Sequence, residues 1–155
     1  MQKSKNAFTM IELVFVIVIL GILAAIAVPK FAATRTDAQV SKGRSDVASI
    51  RSAIMTERQS RLITGDNKFI AAGTNAGQLD ETTLFNGVLA YGITDSTADG
   101  HWTSIAHPDV NSSTYDFNIA GTTVRFLYTR SNGIFTCDKT AGTAKQNEYC
   151  GNLID

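Results

Sequence analysis

An apolar run of 21 residues, 8–28, constrains this chain before any other feature does. Only Thr9, Glu12 and Gly21 interrupt it. As a helix rising 1.5 Å per residue it would extend ~31 Å, close to the ~30 Å hydrocarbon thickness of a bilayer. An ionised acid at the centre of such a span costs ~2.5 kcal/mol or more, so Glu12 requires a partner. Without one, a carboxylate one turn inside the span would snorkel to the interface or take up a proton.

The 155 residues suit one domain plus a membrane element. Lys and Arg number 14, as do Asp and Glu, so no global charge directs the chain to nucleic acid. The distribution is uneven. Residues 30–62 hold seven basic side chains against three acids, and residues 63–155 hold five against ten. A basic middle and an acidic end suit contacts between unlike parts of neighbouring molecules, or simply a solvated surface.

Cys137 and Cys150 lie near the C-terminus in a segment rich in Gly, Asn, Thr and Lys. If that segment is exported they would form a disulfide, worth ~3 kcal/mol for a loop of about 15 residues. In a reducing cytosol they would be thiols. No nearby Cys or His completes a zinc ligand set.

The N-terminus admits two kinds of processing. A basic start with Lys3 and Lys5, an apolar core and Ala25-Ile26-Ala27 make a respectable signal peptide cut after Ala27. Alternatively the cut precedes the apolar run, after Ala7, and the helix stays in the mature protein. Here Asn6-Ala7-Phe8-Thr9-Met10-Ile11-Glu12-Leu13, followed by an apolar run ending at Pro29, resembles type IV pilins and the pseudopilins of type II secretion. The resemblance implies removal of a polar leader between Ala7 and Phe8 by a prepilin peptidase, and N-methylation of Phe8. It puts Glu12 fifth and Pro29 twenty-second in the mature chain, as assembly residues. Ala7 departs from the family's usual Gly. The implied partner of Glu12 is the Phe8 amine of the preceding subunit, a pairing that offsets much of the cost of burying either charge.

Beyond Pro29, Val40, Val47, Ile50 and Ile54 form one helical stripe, with Lys42, Arg44, Arg51 and Arg58 largely off it. The helix is expected to run to about Leu62 and stop at Gly65-Asp66-Asn67, a length of ~80 Å. The basic residues are expected on a solvated face or against an acidic neighbouring head. Leu84, Phe85, Val88 and Leu89 predict a short helix over 80–91, capped by Asp80 and ended by Gly92. After a loop holding Trp102, His101 and His107, the period becomes two around Phe117, Ile119, Val124, Phe126 and Tyr128. With Asn132-Gly133 before 134–137, this predicts a three-stranded antiparallel meander. A C-terminal disulfide loop, common among pilins, would close the chain.

The expected fold class is therefore α+β: a long N-terminal α-helix, transmembrane then amphipathic, packed on a small C-terminal antiparallel β-sheet. The expected segments are a leader (1–7), a transmembrane and assembly helix (8–28), its amphipathic continuation (29–64) and a periplasmic head (65–155).

No nucleophile–base pair, phosphate loop or metal-ligand motif is present, so neither enzyme nor cofactor is expected. Some pseudopilin heads bind Ca²⁺. Asp95, Asp99 and Asp109 would be the oxygen ligands here, although residues 95–100 lack the spacing of a calcium loop and suit a polar surface loop. The resemblance implies a single-pass inner-membrane subunit of a secretion pseudopilus or type IV pilus. Its partners would be the inner membrane, the peptidase, copies of itself and other pilin-like subunits, and an assembly platform. A DNA-uptake pilin using residues 42–61, and a secreted binding protein cut after Ala27, are the alternatives.

Overall fold

A computed structural model of the chain describes residues 8–155. The proposed leader, including Ala7, lies outside the described residues. Helix α1 runs Met10–Ile63 and continues through Pro29. Four strands follow, β1 (Trp102–Asp109), β2 (Ser112–Ile119), β3 (Thr122–Thr129) and β4 (Ile134–Cys137), then helix α2 (Ala144–Ile154). The strands pair antiparallel in the order β1-β2-β3-β4. The chain forms two compact units that divide between Thr36 and Asp37, so α1 contributes to both.

In the unit Asp37–Asp155, the expected stripe is the one that is buried. Val47, Ile50 and Ile54 are enclosed, Val40 packs at the edge, and Trp102, Tyr115, Phe117, Phe126 and Phe135 complete the core. Two residues on this face were not anticipated. Gln39 is buried and accepts the Ala120 N–H at 3.0 Å, holding the β2–β3 turn where Ala120 takes φ 47°. Gly43 is buried because any Cβ there would lie 2.6 Å from Leu153 Cδ2.

Lys42 and Arg44 lie on the exposed face expected of them, Arg51 and Arg58 are half-buried, and all four also bond backbone of the C-terminal unit. Lys42 donates to Gly100 O (2.6 Å), Arg44 to Asn152 O (2.6 Å), Arg51 to Phe135 O (2.9 Å) and Arg58 to Asn67 O (2.6 Å). These side chains tie α1 to carbonyls that strands and helix ends leave over.

Three local expectations are corrected. Residues 80–91 are not helical. Leu84 and Ile93 instead form an antiparallel bridge, and Gly87 lets backbone pass Gln78 O where a Cβ could not fit. Phe85 takes φ 60°, a costly conformation for a bulky residue, and its N–H is held by the Asp80 carboxylate at 2.6 Å. Second, the sheet has a fourth strand, β1, which contains Trp102 and His107. Register shifts between Ser104 and Asp109 obscure its alternation, and Pro108 is tolerated because β1 is an edge. Third, the C-terminus is a helix rather than a loop. Thr143 caps it reciprocally with Gln146: Gln146 N donates to Thr143 Oγ1 and Thr143 N to Gln146 Oε1.

Cys137 at the end of β4 and Cys150 in α2 form the disulfide, with Cα atoms 5.9 Å apart. Both are buried. Replacing both by serine is expected to cost ~3 kcal/mol. Urea unfolding of the full chain in detergent should show this as a lowered midpoint.

Asp80 anchors the segment before β1. Its carboxylate also accepts the Tyr115 hydroxyl and lies 3.6 Å from His107 Nε2, whose ring bonds Ser104 and Ser113. Burial pushes the Asp80 carboxyl above the ordinary range, outweighing the downward pull of Phe85, Tyr115 and His107. Burial, then the Asp80 charge, likewise pushes the Tyr115 hydroxyl up. A carboxyl raised on folding stabilises fully below its unfolded pKa of ~4, and that contribution is lost as pH rises through the folded value. Asp80→Asn removes this dependence. The unfolding free energy of the natural chain relative to Asp80→Asn is therefore expected to fall as pH rises above about 4. A difference that stays flat in urea titrations would contradict this.

Candidate assembly and processing segment

Met10 to Val28 read as a helix because the run lacks breakers and holds only one glycine, Gly21, before Pro29. Its start is set by a reciprocal cap that sequence reasoning missed, although T-x-x-E at 9–12 is a recognisable signature. Thr9 N donates to Glu12 Oε2 at 2.9 Å, Thr9 Oγ1 donates to the same oxygen at 2.7 Å, and Glu12 N donates to Thr9 Oγ1 at 3.3 Å. Glu12 is thus the third residue of α1, where a carboxylate also meets the positive end of the helix dipole. Both side-chain bonds fall on Oε2, which leaves Oε1 open to another donor.

Every large apolar side chain from Phe8 to Phe31 is exposed, Phe8 at 84% and Ile11 at 77% among them. There are sixteen of them, distributed around the whole helix. At ~1.5 kcal/mol or more each, burying this set is worth more than the ~5–15 kcal/mol net stability of a typical domain. A helix apolar all round belongs in lipid or among other helices. It is the one helix among the described residues that is long and apolar enough to cross a membrane.

The expected calcium ligands are not brought together. Asp95 accepts from Thr103 Oγ1 (2.6 Å) and Ser104 N (3.3 Å), Asp99 from Gly121 N (2.9 Å), and Asp109 from Asn111 N (2.6 Å) and Ser112 N (3.0 Å). Each braces a separate turn. Among the described residues, no three His, Cys, Asp or Glu side chains gather at metal-ligand range.

The apolar segment and its cap fall within residues 2–28, which match the prokaryotic N-terminal methylation motif. The N-terminal segment resembles that of type IV fimbrial proteins and of a type II secretion core protein. The chain is 36% identical over 90 residues to a fimbrial protein of Pseudomonas aeruginosa, covering 56% of each sequence. It is 43% identical over 56 residues to the type IV major fimbrial protein FimA of Dichelobacter nodosus, covering 36% of each. It is also 38% identical over 53 residues to the type II secretion system core protein G of Pseudomonas aeruginosa, covering 34% of this chain and 37% of that protein. The chain spans little more than half the length of these Pseudomonas aeruginosa fimbrial proteins. No solved structure matches it at a significant level.

Proposed function

We propose that this chain is a filament subunit, inserted in the inner membrane as a precursor, cut between Ala7 and Phe8 by a prepilin peptidase and methylated on Phe8. The observation that carries the proposal is that the apolar half of α1 is exposed while the C-terminal unit closes a core of its own. Such a helix stays in lipid until it can enter a bundle of its own kind without meeting water. The head then lies in the periplasm, where the disulfide between Cys137 and Cys150 is at home. Glu12, through Oε1, takes the Phe8 amine of a neighbouring subunit, and Pro29 marks where the assembly helix gives way to its amphipathic continuation. Self-association with other pilin-like subunits builds the filament on an assembly platform.

The relatives are named both as fimbrial proteins and as a secretion core protein. The test is overexpression of the full chain in a cell that holds a prepilin peptidase and an assembly platform. Sheared or periplasm-spanning filaments should carry the chain by immunogold electron microscopy. Finding it only as membrane-bound monomer would contradict the proposal.

A further inference from the structure

Beyond any role in assembly, the C-terminal unit holds a cleft of about 310 Å³ whose lining includes Arg58, Lys68 and Arg130, together with Asn111 and Ser131. Among the described residues none of the three cations is in an ion pair, unlike Lys42, Arg61, Arg125 and Lys139. No carboxylate lines the cleft, although Lys68 lies within electrostatic reach of the Asp66 carboxylate. Both guanidinium groups are already held in place. Arg58 Nη1 donates to Asn67 O at 2.6 Å, with its Cζ stacked 4.0 Å from the centre of the Phe69 ring. Arg130 Nε donates to Phe69 O at 3.1 Å. Each therefore commits one of a guanidinium's five donors to the backbone on either side of Lys68, leaving the others for a ligand. Pre-positioned forks of this kind lower the entropic cost of gripping an oxyanion.

A larger groove of about 550 Å³ makes the contrast. Its arginine, Arg125, is already gripped by both oxygens of Asp116 at 2.8 and 2.9 Å, so no cation there is unmatched.

We infer that the Arg58–Lys68–Arg130 cleft binds one phosphate group, free or as a simple monoester. Three cations exceed what one carboxylate can match, whereas a phosphate carries nearly two charges and at least three acceptor oxygens. A long polyanion does not suit the site, because residues 63–155 hold ten acids against five basic side chains.

The experiment is calorimetric titration of the full chain, in a phosphate-free maltoside detergent, with inorganic phosphate and separately with glycerol 3-phosphate. Saturable binding is expected to weaken at least about tenfold in Lys68→Gln and in Arg130→Gln, and to weaken as salt is raised. Among the described residues Lys68 makes no hydrogen bond through its side chain, so Lys68→Gln keeps the test independent of folding. Equal affinity for both ligands identifies the free group as sufficient, and binding of glycerol 3-phosphate alone identifies an ester. No saturable binding, affinity unchanged in both variants, or binding only of a DNA oligonucleotide would overturn the inference.

Discussion

Glu12→Ala is expected to leave cleavage between Ala7 and Phe8 intact and to abolish filament assembly. The cut depends on the leader and its junction, which this substitution does not touch. Assembly depends on a charge whose burial among apolar helices is favourable only when paired. The reciprocal cap with Thr9 adds a competing explanation, since losing a capping partner weakens a helix start by ~0.5–2 kcal/mol. Two companions separate the roles. Thr9→Ala removes the cap and keeps the carboxylate, so it should still assemble. Glu12→Gln keeps a hydrogen-bond acceptor and removes the charge, so it should fail like Glu12→Ala. Immunoblots of sheared filament fractions, normalised to processed protein in the membrane, read the outcome. If Glu12→Gln assembles normally and Thr9→Ala does not, the carboxylate is a helix cap and no docking charge.

Trp102→Ala is expected to bring the C-terminal unit close to unfolding. Trp102 is fully buried, with ring centroids 4.8 Å from Phe117, 5.1 Å from Phe126, 5.7 Å from Phe135 and 6.0 Å from Phe85. Its indole N–H donates to Asp46 Oδ2 on α1 at 3.1 Å. One side chain therefore joins the sheet interior, the segment before β1 and the helix. Truncation of a buried Trp costs ~3–5 kcal/mol, a large part of a typical ~5–15 kcal/mol. A fall in melting temperature of more than about 10 °C should follow, measured by circular dichroism of the full chain in detergent. Trp102→Phe keeps most of the ring contacts and loses the hydrogen bond, so it should cost only ~1–2 kcal/mol. Equal effects of the two variants would place the importance of Trp102 in its link to Asp46.

What could be read from the residues follows how directly each pattern maps onto one physical demand. The membrane-length run, the stripe of Val47, Ile50 and Ile54, and the Asn132-Gly133 hairpin each answer to a single requirement, and each recurs in the structure. Residues 80–91 misled because apolar spacing alone cannot tell a helix from a bridged loop. The deciding facts are non-local: Asp80 meets Tyr115 and Gly87 passes Gln78. Strand β1 was hidden by Pro108 and by polar side chains such as Ser104 and His107, which face one another within the network around Asp80. Both reciprocal caps, Thr9 with Glu12 and Thr143 with Gln146, were legible as S/T-x-x-E/Q. The energetic anomaly of Glu12 drew attention from the first, and the Gly- and Asn-rich surroundings disguised the second. The basic residues of α1 could not have been assigned from sequence, because their partners are backbone carbonyls, which every residue carries.

The central claim is that the apolar helix stays in the mature protein with Phe8 at its head. Mass spectrometry of the N-terminal peptide of the membrane-extracted protein tests it most directly. The expected result is a chain that begins at Phe8 and carries one methyl group on its amine. A chain that begins at Val28, recovered without membranes, would contradict it.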